Sequence, residues 1–284
     1  MKLKAAKRAK KSSMPEKLEK EVLNAVNRPL NWTNKQRVLL MCSRGISFHG
    51  RHLMKNFHKM MPHSKTESKL EKKESLVSIN EIADMKNCQN CIYLEMRKKR
   101  DLYMWISKIP NGPSIKFSVE NIHTMEELKL AGNCLKGSRP ILSFSSDFDK
   151  IPHLKLMKCV LTDVFNVPLN HPRSKPFVDH VIQISQLNNR LWFRNYQIVD
   201  QEKFDLTEIG PRFVLNPIKI FNGSFSGITL WDNPKYLSPN IRFHMLKKSL
   251  SEKYVRRTEA KKQISAKKMS YTDETVEKFD DIYD

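Results

Sequence analysis

The feature that most limits how this chain can fold is that its pattern starts over partway along. The continuous apolar run Val38-Leu-Leu-Met41 is matched by Pro140-Ile-Leu-Ser-Phe144. His52 to Met61, with Leu53, Phe57, Met60 and Met61 on one helical face, is matched by His153 to Leu161. The strand-like stretch Cys91 to Ile106 parallels His180 to Ile198, and Gly112-Pro113 parallels Gly210-Pro211. A repeat of roughly one hundred residues is longer than the period of about 20 to 50 that marks solenoids, so it implies two related α/β halves. The expected divisions are 1–34, a globular part at 35–234 with halves at 35–135 and 136–234, a helix at 235–268 and a tail at 269–284.

Within the halves the periodicities assign elements. Val38–Met41, backed by Ser43 and Gly45, suits a buried strand, and Pro62 stops the helix that follows. Ser64 to Ser75 is polar and reads as a mobile loop, Met85 to Met96 and Leu102 to Ile106 as strands about the basic turn Lys98–Asp101. Ser114 to Val119 is a further strand, and Thr124 with Glu127 has the form of a capping box for a helix reaching Leu130. His180–Gln186 and Arg190–Ile198 alternate about Leu187-Asn-Asn189, the signature of a β-hairpin. Gly210-Pro211 opens the next strand, with Phe213, Leu215, Ile218 and Ile220 for the core and Arg194, Arg212 and Lys219 on or near the opposite face.

Charge narrows the partner. The 284 residues carry 51 Lys+Arg against 30 Asp+Glu, a net +21 that calls for a polyanion: nucleic acid or an anionic membrane surface. No apolar run of about 18 residues exists to span a bilayer, and Met1-Lys-Leu-Lys-Ala-Ala-Lys-Arg8 lacks the apolar core of a secretory signal. Five cysteines, an odd number, fit reduced thiols inside a cell, which leaves the sequons at Asn31 and Asn222 unused. Residues 1–34 read as a basic, disordered arm for nuclear import or RNA contact. The segment 241–268 sets ten Lys and Arg against Glu252 and Glu259 without Gly or Pro, a basic helix, before the sign reverses in a disordered acidic tip.

Catalytic constellations are missing from the sequence. Cys88-Gln-Asn-Cys91 has zinc spacing but no second pair, and Cys91 stands at a strand start, the wrong context for a redox motif. Gly223-Ser-Phe-Ser-Gly227 has Phe225 where a nucleophile elbow needs Ser. There is no phosphate-binding glycine loop, His49, His52 and His58 have no acidic partner at helical spacing, and Trp105, Trp192 and Trp231 sit in apolar runs that suit a core. The expectation is a protein that is not an enzyme and has no cofactor or metal.

Several segments together resemble one known family. Glu208-Ile-Gly-Pro-Arg-Phe-Val-Leu-Asn-Pro217 is similar to the closing motif of the Brix domain, found in eukaryotic ribosome-assembly factors with archaeal relatives. Arg37–Ile46, His49–Ser64, Asp101–Trp105, Asn111-Gly-Pro113, Asn133–Pro140 and Pro176–His180 match as well, so the resemblance runs from about Arg37 to Asn240. It is closest to members that act on the large (60S) ribosomal subunit. The resemblance implies an α/β fold of two halves, each similar to the anticodon-binding domain of class II aminoacyl-tRNA synthetases. It implies a non-catalytic factor in the nucleus and nucleolus, binding pre-rRNA of the large subunit beside a dedicated protein partner and other pre-60S proteins. No membrane enters that picture.

The residues expected to meet RNA phosphates are Arg44, Arg51, Arg139, Arg194, Arg212 and Lys219 on the globular part and Lys247, Lys248, Arg256 and Arg257 on the helix. Arg44 and Arg139 are expected at corresponding places beside the first strand of each half. Arg212 has two open readings: an accessible phosphate contact, or a structural bridge to a carboxylate such as Glu208. Two alternatives to an RNA-binding factor stand beside it, a protein-interaction scaffold whose charge only retains it on RNA, and a tRNA-binding subunit.

Overall fold

The computed structural model describes residues 36–71, 74–128, 130–200 and 205–280; the basic arm expected over 1–34 and the sequon at Asn31 lie outside these. The first half consists of β1 (Val38–Cys42), α1 (Phe48–Met60), β2 (Ser64–Thr66), α2 (Ser78–Met85), β3 (Asn90–Arg97), β4 (Asp101–Lys108) and β5 (Ser114–His123). The short helix α3 (Met125–Leu128) begins the connection. The second half consists of β6 (Arg139–Phe144), α4 (Asp147–Lys150), α5 (Pro152–Phe165), β7 (Val178–Leu187), β8 (Arg190–Asp200), β9 (Asp205–Glu208), β10 (Arg212–Phe221) and β11 (Thr229–Asp232). A helix of 42 residues, α6 (Pro239–Asp280), follows.

All eleven strands form one sheet, in the order β2-β1-β3-β4-β5-β10-β8-β7-β6, with β9 against β8 and β11 against β10. The order is palindromic. Parallel β1/β3 followed by antiparallel β3/β4/β5 is repeated as parallel β6/β7 followed by antiparallel β7/β8/β10. The halves meet where β5 and β10 run antiparallel, Val119 opposite Leu215. The repeat read from the sequence is therefore a repeat of topology.

The halves nevertheless share one core. Helices α1 and α5 lie on the same face of the sheet, which we call inner. Phe57 of α1 meets Phe165, Phe193 and Phe213 of the second half with ring centroids 5.9, 6.4 and 5.6 Å away. Helix α5 packs on β3 and β4 of the first half as well as on β6. Cross-half hydrogen bonds help close the seam, among them His63 Nε2 donating to the Val164 carbonyl (3.1 Å) and Asn90 Nδ2 to that of Asp163 (3.1 Å).

Local chemistry explains the element ends. Ser47 caps α1, its Oγ accepting from the Gly50 N–H at 3.4 Å, and Pro62 follows its last turn. Between paired Leu187 and Arg190, Asn188 and Asn189 hold φ 52° and 59°, the two left-handed positions of a tight hairpin turn that asparagine tolerates.

Three expectations are corrected. Met85 ends a helix and does not begin a strand: Ile79, Ile82 and Ala83 of α2 turn inward at helical spacing. From Ser64 to Glu71 the chain is not a free loop, because β2 pairs with β1 and the buried Leu70 bridges Ser43, its N–H bonded to the Cys42 carbonyl. The helix expected to end at 268 runs on as α6 to Asp280. The Thr124 cap does hold the Glu127 carboxylate, which accepts the Thr124 N–H at 3.4 Å, but the helix it opens is only four residues long.

Candidate nucleic-acid interface

Side chains alternate along a strand, so with Phe193 and Phe213 in the inner core, Arg194 and Arg212 emerge on the outer face. There they share Glu208, at the end of β9. Arg212 donates to it twice, Nε to Oε1 at 2.9 Å and Nη2 to Oε2 at 2.7 Å, and Arg194 Nη1 donates to Oε1 at 3.2 Å. The fork is bidentate and half-buried, the side chains 30% (Arg212), 26% (Arg194) and 20% (Glu208) exposed. The structural-bridge reading of Arg212 expects such a contact with Glu208, and the phosphate reading expects the accessible surface that the guanidinium keeps. With Asn121, His123 and Trp192 the two arginines still line a shallow cleft of about 200 Å³, and two guanidiniums on one carboxylate leave a positive charge there.

Lys219, further along β10, is also matched by a carboxylate, Asp232 Oδ2 at 3.1 Å on β11. Toward the first half the same face carries Glu95 with Lys116, and Glu120 with Arg190 and Arg242. Burial pushes the Glu95 carboxyl up, yet hydrogen bonds from Trp105 and Arg97 and the charge of Lys116 bring it below the ordinary value. Lys116, over the rings of Tyr103 and Trp105, is pulled down by burial against the attraction of Glu95. The sheet's outer face is one of mixed, paired charge.

The remaining expected residues scatter. Arg44 is exposed and pairs with Glu71 at 2.5 Å; Arg51 is exposed on α1. Arg139 is half-buried, and its buried Nε finds no hydrogen-bond partner among the described residues. Arg44 lies past the C-terminal end of β1 whereas Arg139 is the first residue of β6, so the two are at opposite ends of equivalent strands.

Lys247, Lys248, Arg256 and Arg257 project from α6 into solvent. The body grips the start of that helix. Arg100 lies 3.9 Å over the Phe243 ring, Lys98 Nζ donates to Asn240 Oδ1 at 3.2 Å, and Arg242 reaches Glu120 at 3.8 Å.

One basic group was missed by sequence reading. Lys59 at the end of α1, Lys136 before β6 and Arg173 before β7 converge on a cleft of about 210 Å³ across the seam, beside His58. Three residues so far apart in the chain leave no local signal.

For chemistry the described residues offer little. No three His, Cys, Asp or Glu side chains stand close enough to hold a metal ion. Burial pushes up the thiols of Cys88 and Cys91, both packed in an outer-face cluster with Trp105 and Phe225. His52 has an acidic partner after all, Glu126, from beyond its own helix. Among the described residues no helix is long and apolar enough to cross a membrane.

A family model described as the Brix domain matches residues 43–219. The Ribosome biogenesis protein BRX1 homolog of Homo sapiens is 50% identical over 256 residues, covering 89% of this chain and 72% of that protein. Its namesake from Xenopus laevis is 54% identical over 237 residues (84% and 70%), and that from Caenorhabditis elegans 49% over 252 (88% and 71%). The crystal structure of a probable ribosomal biogenesis protein from Aeropyrum pernix K1 superimposes with a TM-score of 0.46 at 13% identity, over 64% of this chain and 96% of that one, a likeness too weak to carry an argument.

Proposed function

The chain belongs to the Brix domain family, and from that premise we propose that it is a non-catalytic ribosome biogenesis factor that binds pre-rRNA of the large subunit in nucleolar particles. The observation that carries the RNA part is α6. Between Ile241 and Lys268 it holds ten Lys and Arg against two Glu, exposed along that length and anchored at its start. Such a helix lays cations along a phosphate backbone without reading base edges. The open outer face of the second half, with its residual charge at Glu208, supplies a second, weaker contact. A dedicated partner protein and other pre-60S proteins complete the assembly.

The scaffold reading keeps one supporting observation: Glu208, Glu120 and Asp232 neutralise much of the sheet face, as a surface meant for a protein would. A salt titration of RNA affinity separates the two. Changing Lys247, Lys248, Arg256 and Arg257 together to Gln in the full chain should lower the log-log salt slope by about 3, at roughly 0.7 to 0.9 for each phosphate no longer neutralised. An unchanged slope would leave α6 to protein contacts.

A further inference from the structure

The sheet's outer face and the seam differ in one respect that matters for anions: on the outer face nearly every cation has a carboxylate, and in the seam cleft none does. Among the described residues no carboxylate lies within ion-pairing distance of Lys59, Lys136 or Arg173, all three exposed. The nearby carboxylate, Asp179, is already engaged, accepting the Leu135 N–H at 2.6 Å and contacting His180 Nδ1 at 2.6 Å.

The cations are also held in place. Gly137, with φ +85°, sits so close to the loop before β7 that an added Cβ would meet the Arg173 carbonyl oxygen at 2.7 Å. The Lys175 N–H returns to the Gly137 carbonyl at 2.7 Å, so Lys136 and Arg173 ride on two loops bonded to each other. Lys59 comes from the opposite half, on the last turn of α1. His58 completes the rim. Its Nδ1 contacts Ser64 Oγ at 2.9 Å, and the Ser64 proton goes to the Met61 carbonyl at 2.7 Å, so Nδ1 must donate. In the neutral ring Nε2 is then the nitrogen left to take up a proton. Burial first, and then the charges of Arg173 and Lys136, pull His58 below the usual histidine value, so both cations act on its ring.

We propose that this seam cleft is a binding site for a backbone phosphate of RNA, with Lys59, Lys136 and Arg173 as its cations and His58 as a fourth donor when protonated. The inference rests on the RNA-binding reading above and adds a place on the inner side of the molecule, lined by no residue of α6. Cations this far apart in the chain meet there only when the two halves are joined. The site therefore recognises RNA through the folded body and not through an isolated helix.

The test uses the full chain and a short mixed-sequence single-stranded RNA. A Lys59→Gln, Arg173→Gln variant should bind at least tenfold more weakly at low salt and lower the salt slope by about 1.4, two phosphate-binding cations at roughly 0.7 each. Lys136→Gln, a substitution at an exposed position, should show a smaller loss in the same direction with an unchanged melting temperature, which guards against misfolding. In wild type, RNA should raise the His58 titration midpoint followed by NMR, and an Arg256→Gln, Arg257→Gln variant should keep that response while binding more weakly. If wild type binds RNA and the seam variants bind it equally well with a static His58, the seam site is overturned and the RNA-binding reading survives. If wild type fails to bind RNA at any salt, both fall.

Discussion

The two halves have the same topology and opposite treatment of their outer faces. In the first half β3 and β4 are buried on both sides almost throughout, because α2, the stretch through Leu70 and the Phe225 turn lie over them. In the second half β7 and β8 alternate between buried and accessible, with Val181, Gln183, Trp192, Arg194 and Tyr196 on the uncovered side. The cause is a difference in the connections before β3 and β7. Between α1 and β3 the chain inserts β2 and α2, whereas between α5 and β7 residues 166–177 supply no helix or strand. A duplicated sheet thus keeps one face for its shared core and lets the other diverge, covered in one copy and available in the next.

The comparison breaks first if the inner core is not truly common. Phe57→Ala should cost about 4 kcal/mol, and the whole sheet should unfold in one transition in a denaturant melt followed by probes in each half. Two separate transitions would mean that the halves are independent domains. The seam can be loaded by pH instead. His63 is nearly fully buried, and burial lowers it to about 4 although the bond to the Val164 carbonyl pulls the other way. Its folded value lies below the unfolded one of about 6.5, so the unfolded chain takes up the proton first and stability falls as pH drops between those values. The loss should reach about 3 kcal/mol by pH 4, and His63→Leu should flatten that part of the stability profile.

Covering is tested by paired substitutions. Ile79→Ala, on the buried side of α2, should cost about 2 to 3 kcal/mol, while Val181→Thr on the open face should stay within about 0.5 kcal/mol. Equal costs would show that the second half is covered too. The smallest effect sharpens the contrast at the charged cleft. Glu208→Gln should cost about 1 kcal/mol and at the same time tighten RNA binding a few-fold, since Arg194 and Arg212 lose their carboxylate. A variant with weaker RNA binding at unchanged stability would place Glu208 itself in the contact.

How much of this the sequence carries follows from range. The β7/β8 hairpin, the strand after Gly210-Pro211 and α1 were legible because alternation, turn residues and helical spacing are local. Helix α2 escaped because it is eight residues long and its N-cap, Val77, makes no capping bond, so the apolar residues near Met85 merge with those of β3. Leu70 escaped for want of any apolar neighbour to give it a period. Glu208 could be suspected as a partner of Arg212 because it is four residues away, but Arg194 joining the same carboxylate depends on strand register. The seam cations depend on the packing of two halves, which no window of sequence contains.

The palindromic strand order has one more consequence. Strands β5 and β10 are equivalent and pair with each other, so the molecule has the arrangement of a two-fold dimer with an isologous interface whose protomers happen to be one polypeptide. A free dimer of this kind would dissociate on dilution and would be obliged to repeat every mutation on both sides of its axis. Covalent linkage removes both constraints. The interface persists at any concentration, and each copy is free to acquire its own insertion, its own surface and its own partner.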